Sequence, residues 1–468
     1  MKIEQIYTGC LAQASYYIES NGEAAIIDPL RDIDIYLEKA KNNNAEIKYI
    51  FETHFHADFV SGHISLSKIT NASIIFGPNA DPKFDAIIAS EGDEFKLGKT
   101  TIKTIHTPGH TLESTSFLLL DEHKNAHSIF TGDTLFLGDV GIPDVAQRYQ
   151  GVSKEELAGI LYDSINNKIK PLDSKITVYP GHGAGSACGK NMMKETVDSL
   201  GNQKIVNYAL NGKFTKDEFI KELTENLPEP PSYFPSIVKM NQDGYDDISE
   251  ILDRSLINLS PEEFKNVISS KKAVILDTRD AKDFCSAHIP GSLFIGLSGS
   301  FAPWVGMLIE NVNQPIVIVC EENKEQESIL RLSRVGYDNC VGFLEGGINA
   351  WTNSGNAIEK VDSKSPSEIN NSLSEIELID VRRPGEYNAE HIEGVENIPL
   401  DSIFNSMDKY EAKNTYHLHC QSGYRSVIAA SILKANGINK IVNINGGIKL
   451  IKETTDFNYV TSSCSSNS

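Results

Sequence analysis

The first half of the chain alternates short apolar runs with segments of helical periodicity. Apolar residues fall on one helical face in residues 33–40 and again in residues 157–165, which predicts two amphipathic helices. Runs rich in β-branched and aromatic residues predict six strands, at 24–27, 47–51, 73–76, 116–120, 128–130 and 176–179. This alternation is typical of a mixed α/β layer structure.

The second half contains an internal repeat. A Pro-rich stretch, LPEPPSYFPS (227–236), precedes this repeat and predicts a break in regular structure. Three motifs occur twice in similar form. LDTRDAKDF resembles IDVRRPGEY, and EGGINAW resembles NGGIKLI. PIVIVC, which ends at Cys320, corresponds to TYHLHC, which ends at Cys420. We therefore expect three domains, which are residues 1–245, a middle module at 255–358 and a C-terminal module at 365–460.

Composition narrows the functional class. The chain has 468 residues, which is too long for one hydrophobic core, and a formal net charge of −21, which disfavours nucleic acid or an anionic membrane as a partner. No signal peptide opens the chain, and no apolar run approaches the length of a membrane helix. The 7 cysteines are odd in number and form no C-x-x-C, which predicts a reducing compartment. We expect a cytoplasmic protein that forms a homo-oligomer.

Polar residues suited to metal binding gather in the first half. Each of them follows a strand-like apolar run, in the motifs ETHFHADF, HTPGHT, FTGDTLF and VYPGHG. The residues in question are His54, His56, Asp58, His110, Asp133 and His182. Imidazoles and carboxylates at the ends of strands converge readily at one edge of a sheet, so the pattern predicts a metal site.

This motif series resembles that of the metallo-β-lactamase fold, an αββα sandwich. Hydrolases of the fold, glyoxalase II among them, typically have H-x-H-x-D-H and bind two metal ions. In this chain Phe59 stands at the final position of that motif, and its apolar ring cannot ligate. His63, four residues further on, is an alternative ligand, although we favour a helix or surface position for it.

Among single-metal members of the fold, the chain most resembles the persulfide dioxygenases. The resemblance implies one Fe(II) per chain, bound by His54, His110 and Asp133, with about three coordination positions left open. Three further residues would then orient ligands or line the cleft: His56, Asp58 and His182. The alternative is that these three bind zinc, as in the hydrolases.

Two positions bear on the substrate. The family commonly has G-R-P-D after the aspartate motif, whereas this chain has Gly141-Ile142-Pro143-Asp144, so a contact with an anionic thiol such as glutathione is missing. Cys188 lies in GHGAGSACGKN, which resembles dioxygenases fused to rhodanese domains. Two interpretations of Cys188 stay open: a small buried thiol, and a group that handles substrate sulfur.

The C-terminal module carries CQSGYRS where a strand leads into a helix predicted over 427–435. Loop N–H groups, the helix N-terminus and Arg425 favour an anion, which stabilises a thiolate at Cys420. The segment matches the C-x-x-G-x-R active loop of rhodaneses, and DVRRPGEY resembles their entry signature. The resemblance implies that Cys420 and Arg425 are catalytic. It also implies an anion-binding loop made of Gln421, Ser422, Gly423, Tyr424 and Ser426.

The middle module has the same frame with a different loop. That loop is Cys320-Glu321-Glu322-Asn323-Lys324-Glu325, with Glu325 where the other module has Arg425. Carboxylates around a thiol raise its pKa and repel sulfur oxyanions. We expect a degenerate rhodanese that serves structure or docking.

The order of these segments resembles the persulfide dioxygenase–sulfurtransferase fusions of sulfide detoxification. The resemblance implies low-molecular-weight thiol persulfides, O₂ and sulfite as small-molecule partners. Sulfite would form at the iron, and Cys420 would pass sulfane sulfur to it, giving thiosulfate. Two alternatives are a zinc thioester hydrolase of the glyoxalase II type and a non-enzymatic sulfur-relay or sensor protein.

Overall fold

The computed structural model describes residues 1–143, 151–227, 230–370 and 372–461. Contacts within the chain divide it into two compact units. The first is Met1–Ile251 together with Leu332–Gly336, and the second contains the remainder from Leu252 onwards. The expected bounds of three separate domains stay predictions.

Two six-stranded sheets form the first unit. In spatial order, the first sheet contains Lys2–Thr8, Gln13–Ser20, Glu23–Ile27, Glu46–Phe51, Ser73–Phe76 and Ile87–Ile88. The second contains Asp198–Ser199, Thr177–Pro180, Ala126–Gly132, Thr115–Leu120, Thr100–His106 and Glu94–Leu97. Both sheets mix parallel and antiparallel pairs.

Helices cover the outer faces of these sheets. They are Asp34–Asn42, His63–Thr70, Lys154–Ser164, Leu200–Val206, Lys216–Thr224 and Phe234–Asp243, with a π-helix at Ile165–Ile169. A further helix, Ile248–Ser255, contains the boundary between the two units. One buried cluster lies between the sheets and includes Ile18, Phe51 and Phe117. Two more clusters join each sheet to its helices. The result is an αββα arrangement of four layers.

The hydrophobic pattern predicted six of the twelve strands described for this unit and two of its helices. All six predicted strands and both predicted helices are present, with ends shifted by at most a few residues. Several strands were missed, among them Gln13–Ser20, because its buried positions include Gln13 and Ser15 and so show no apolar alternation. The Pro-rich stretch holds the start of the helix Phe234–Asp243, and its residues 228 and 229 lie outside the described part of the chain.

The second unit contains two five-stranded parallel sheets with the same strand order, as the repeat predicts. The middle module has Asn258–Leu259, Cys340–Leu344, Ile316–Val319, Val274–Asp277 and Leu293–Phe294. The C-terminal module has Asp362–Lys364, Ile441–Ile444, Tyr416–His419, Glu377–Asp380 and Glu396–Asn397. A two-stranded ribbon pairs Glu390–Ile392 with Tyr459–Thr461.

Helices alternate with these strands. The middle module has Pro261–Lys271, Ala281–Ser286, Phe301–Leu308, Glu325–Ser333 and Gly347–Asn353. The C-terminal module has Pro366–Ile369, Pro384–Ala389, Tyr424–Ala435 and Gly447–Thr454, with 3₁₀ turns at Leu373–Glu375 and Leu400–Lys409. Ligand sites in such parallel sheets lie outside the carboxyl ends of the strands, and Cys320 and Cys420 each directly follow a central strand.

Candidate metal centre and thiol site

Three predicted ligands meet at one edge of the αββα layers. His54 follows the strand Glu46–Phe51, and Asp133 directly follows Ala126–Gly132. Their side chains and that of His110 each offer a ligand atom within 4.8 Å of the others. The Asp133 Oδ2 atom lies 3.9 Å from His54 Nε2 and 3.7 Å from His110 Nε2. All three residues are buried, so the cluster forms a buried site of two imidazoles and one carboxylate.

Hydrogen bonds fix which nitrogen of each imidazole can ligate. His110 Nδ1 lies 2.7 Å from the carbonyl oxygen of Ile142, which can only accept, so Nδ1 carries the proton and Nε2 keeps its lone pair. Thr53 Oγ1 donates to the Asp28 carboxylate at 2.9 Å and therefore accepts from His54 Nδ1 at 3.0 Å. Both Nε2 atoms thus face Asp133, and Nε2 is the atom of each ring that is left to bind a metal.

His182 links two carboxylates beside this cluster. Its Nδ1 donates to Asp133 at 2.8 Å, and its Nε2 donates to Asp58 at 2.9 Å. Burial opposes a charge on the ring, but Asp133 and Asp58 outweigh it and raise the pKa of His182 well above its usual value. His182 therefore restrains the Asp133 carboxylate, and its role in orienting a metal ligand stays a prediction.

His56 packs beside His54, with ring centroids 4.3 Å apart, but its Nε2 atom faces a different pair of carboxylates. Its Nε2 lies 3.2 Å from Asp28 Oδ1 and 3.6 Å from Glu52 Oε2, and its ring centroid is 4.3 Å from that of Phe59. Phe59 is fully buried, so it packs against His56 where a hydrolase of this fold has a ligand. His63 begins the helix His63–Thr70, as predicted, but the alternative surface position is wrong because the residue is completely buried.

Cys188 lies in a second cluster of ligand atoms. Its thiol, Asp58 and His182 offer atoms within 4.8 Å of one another. Burial, with the charges of Asp58 and Asp133, raises the pKa of the Cys188 thiol well above its usual value. This raised pKa favours the neutral thiol at Cys188, which lies beside Asp58 and His182.

Sequence reasoning missed several groups that shape this centre. The Ile142 carbonyl, Thr53 and Asp28 set the histidine tautomers, and none of them belongs to a metal-ligand pattern. Asp28 offered one signal, since it too directly follows an apolar strand, Glu23–Ile27. A backbone carbonyl leaves no signal in the sequence.

The C-terminal module places Cys420 against a helix N-terminus. The helix Tyr424–Ala435 begins three residues earlier than predicted, directly after Gly423. The Gly423 N–H donates to Cys420 Sγ at 3.2 Å, and Ser426 Oγ lies 3.6 Å from the same sulfur. These groups and the helix N-terminus surround the sulfur with hydrogen-bond donors, an arrangement that suits an anionic ligand. The loop packs tightly, since a Cβ on Gly447 would lie 2.4 Å from the Cys420 carbonyl oxygen.

Arg425 forms an ion pair with Glu386 that the sequence pattern did not predict. Its Nη1 and Nη2 atoms donate to the two Glu386 carboxylate oxygens at 2.5 and 2.8 Å. Such bidentate pairs are strong and geometrically specific. Arg425 therefore orders the loop through Glu386, and its charge is largely neutralised in this structure.

The middle module has a less reactive thiol. Burial raises the pKa of Cys320 far above its usual value, and the charges of Glu325, Asp277 and Glu321 add to the effect. The helix that follows begins with Glu325, so a carboxylate occupies the end where the C-terminal module has Arg425. The direction of this shift agrees with the expectation of a degenerate loop.

Tyr424 connects the Cys420 loop to the middle module. Its hydroxyl donates to the Gly296 carbonyl oxygen at 2.8 Å. Its ring fills the space beside Gly299, where a Cβ would lie 2.3 Å from ring carbon Cζ. Ser431, on the helix after the loop, accepts from the Phe294 N–H at 3.0 Å. The middle module therefore supports the loop physically.

We expect Tyr424→Phe to destabilise the second unit by about 1 kcal/mol, because it removes a buried hydrogen bond. Tyr410→Phe is the matched control, since within the described residues the buried Tyr410 hydroxyl has no hydrogen-bond partner. Guanidinium unfolding of both variants measures the difference. Tyr424→Phe should also speed alkylation of Cys420 by iodoacetamide, and equal behaviour of the two variants would contradict this role.

Comparison with known proteins identifies the domains. Residues 8–182 match the family model of the metallo-beta-lactamase superfamily, and residues 260–354 and 365–454 each match that of the rhodanese-like domain. In the described ranges, no helix is both long enough and apolar enough to cross a membrane. The fold and the buried histidine–carboxylate cluster thus define an enzyme of the metal-binding αββα class.

Three similar proteins illustrate the relationship. A crystal structure of a metallo-beta-lactamase from Staphylococcus aureus subsp. aureus COL is 31% identical, with a TM-score of 0.65, and the match covers 74% of this chain and 98% of that chain. ETHE1 from Myxococcus xanthus is 28% identical over 52% of this chain and 98% of its own, with a TM-score of 0.44. A probable hydroxyacylglutathione hydrolase of Schizosaccharomyces pombe is 29% identical over 35% of this chain and 60% of its own length.

The chain belongs to the metallo-β-lactamase superfamily, and two rhodanese-like domains follow its metal-binding domain. The expected fold class is confirmed. The match to the hydroxyacylglutathione hydrolase spans only 60% of that relative's length.

Proposed function

We propose that the protein oxidises low-molecular-weight thiol persulfides with O₂ to sulfite and then transfers sulfane sulfur through Cys420 to give thiosulfate. The observation that carries the proposal is the site of His54, His110 and Asp133, beside which the Nε2 atom of His56 faces other carboxylates and Phe59 removes a ligand of a second ion. The oxidation consumes one persulfide, one O₂ and one water, and yields one thiol and one sulfite.

The donor set fits a single ferrous ion. Two neutral imidazoles and one carboxylate form the set that non-haem iron oxygenases use. When bound, Fe(II) would supply open positions for the substrate sulfur and O₂ and the redox chemistry of sulfur oxidation. The chain's own residues orient the ligands, since Ile142 and Thr53 fix the imidazoles and His182 fixes Asp133.

The Cys420 loop suits the second half-reaction. A thiolate at Cys420 attacks the outer sulfur of a persulfide, the donor's S–S bond breaks, and the thiol leaves with its proton. The persulfide left on Cys420 is stabilised by the Gly423 N–H and the helix N-terminus. Sulfite then takes the outer sulfur, which forms thiosulfate and regenerates the thiolate. Fusion of the two sites keeps sulfite near its acceptor chemistry.

Oxygen consumption with persulfides of glutathione, coenzyme A and other thiols, measured in parallel with product identification, tests the proposal. We expect oxygen uptake that depends on iron, with sulfite and thiosulfate as products. Oxygen uptake with none of the persulfides would refute it, and it would favour the alternative of a non-enzymatic sulfur relay.

Glutathione persulfide is expected to be a poor substrate relative to another cellular persulfide. Ile142 stands where the family commonly has arginine, and its side chain is buried in an apolar cluster, so it offers no charge to an anionic thiol. Loss of one charge-assisted contact weakens binding by about 1.5–3 kcal/mol, which is roughly a 10- to 100-fold loss in kcat/KM. Similar kcat/KM values for all persulfides would contradict this. Arg148, another cation in the sequence, lies outside the described residues.

A zinc thioester hydrolase is the second candidate. The cluster of Asp58, His182 and Cys188 supports it, because cysteine, histidine and aspartate are the residue types that zinc binds. A zinc ion there would have to displace the proton of the Cys188 thiol and one proton of the His182 ring. The name of the Schizosaccharomyces pombe relative, a probable hydroxyacylglutathione hydrolase, points the same way. Metal analysis of protein grown with iron, together with thioester hydrolysis assays, separates the two candidates.

A further inference from the structure

A cavity of about 640 Å³ opens beside the Cys420 loop within the second unit. On one side it is lined by Ser422, Gly423 and Tyr424 of the loop. Cavities of this size hold organic ligands of considerable size. A sulfite or thiosulfate ion would fill only a small part of it, so the cavity has room for the organic body of a sulfur donor.

A second wall of the cavity comes from outside the C-terminal sheet. It is formed by the middle-module helix Ala281–Ser286, with Lys282 and Cys285, and by the segment that joins the modules, with Lys360. The middle module also holds Tyr424, so wall and loop are fixed relative to each other. An organic donor in the cavity would therefore contact both modules.

Charges on this wall are available to a ligand. Four charged residues line the cavity, and all are exposed: Asp280, Lys282, Lys360 and Asp362. Across the ranges that the structure describes, Lys282 and Lys360 form no ion pair. Arg425, by contrast, is paired with Glu386. The cations that remain for an anionic group in the cavity are the two lysines.

We propose that the middle module and the segment that joins it to the C-terminal module select the sulfur donor of Cys420, with Lys282 and Lys360 binding an anionic group on the organic body of the persulfide. This inference rests on the proposed sulfur transfer at Cys420 and assigns the degenerate module a role in specificity. The lysines form and break no covalent bond. They strengthen donor binding and leave the attack on the outer sulfur unchanged.

The test measures single-turnover sulfur loading of Cys420 in the full-length protein, without O₂, by intact mass spectrometry. The donors are persulfides of 3-mercaptopropionate, 2-mercaptoethanol and cysteamine, which are similar in size and carry a negative, neutral and positive body. We expect the Lys282→Ala/Lys360→Ala double variant to raise the half-saturating concentration of the mercaptopropionate donor about fivefold, with an unchanged maximal rate. The half-saturating concentration of the mercaptoethanol donor should change less than about twofold. Added salt should reduce the difference between the parent and the double variant for the mercaptopropionate donor.

Two controls give the sign of the effect. Lys271→Ala removes a lysine of the middle module outside the cavity and should leave the half-saturating concentration of every donor unchanged. Asp280→Asn removes a negative charge from the wall and should lower the half-saturating concentration of the mercaptopropionate donor. Equal effects on all three donors, or none, would overturn the role of the lysines. If no persulfide loads Cys420 in the parent protein, the proposed sulfur transfer fails together with this inference.

Discussion

Asp133→Ala is expected to abolish iron binding and oxygen uptake together. Asp133 supplies the carboxylate that lies 3.7 to 3.9 Å from the facing nitrogens of His110 and His54. Loss of groups that merely orient a ligand costs 10- to 100-fold in metal affinity, so loss of the ligand itself should cost at least about 100-fold. The parent protein should contain one iron per chain, measured by elemental analysis of protein grown with iron.

The variant also leaves His182 without one of its two carboxylates, so folding must be checked. Sulfur loading of Cys420 provides an internal control, because that residue lies in the second unit. Loading should persist at the parental rate while oxygen uptake is lost. Retained iron in Asp133→Ala, or two tightly bound zinc ions in active parent protein, would contradict the single-iron site and favour the hydrolase.

Much of the fold was predictable because its signals are local. Strands such as Ser73–Phe76 are short apolar runs, and the paired modules repeat whole motifs. The strand Gln13–Ser20 was missed because it buries polar residues, whose partners lie outside the strand. Gln13 donates to the Asp28 carbonyl oxygen, and the Ser15 hydroxyl lies 2.7 Å from that of Tyr36. The formation of this strand therefore depends more on its tertiary contacts than on its local sequence pattern.

The sequence predicted which residues form the site better than it predicted the contacts that they make. The motif spacing brought His54, His110 and Asp133 together, yet spacing alone did not tell that His56 faces Asp28 and Glu52. Alternation within a loop does not fix the direction of a side chain as it does in a strand. Contacts that join distant segments, such as Arg425 with Glu386 or Tyr424 with Gly296, leave no pattern in a single sequence.

Cys420→Ser is expected to leave oxygen uptake intact and to shift the product from thiosulfate to sulfite. Serine replaces a readily ionised sulfur with a hydroxyl that stays protonated near neutral pH, so no persulfide can form at this position. The metal-binding residues belong to the first unit and should stay folded. Parallel measurement of oxygen, sulfite and thiosulfate checks the separation of the two activities.

Cys320→Ser is the matched control for that variant. The thiol of Cys320 directly follows the equivalent strand of the middle module, but burial and the neighbouring carboxylates hold its pKa far above the usual value, so it is protonated and unreactive. Its replacement should change neither oxygen uptake nor thiosulfate formation. Because sulfite reacts chemically with free persulfide, the comparison requires early times and low persulfide. Thiosulfate formed at the parental rate by Cys420→Ser, or its loss in Cys320→Ser, would mean that the two modules have been assigned the wrong roles.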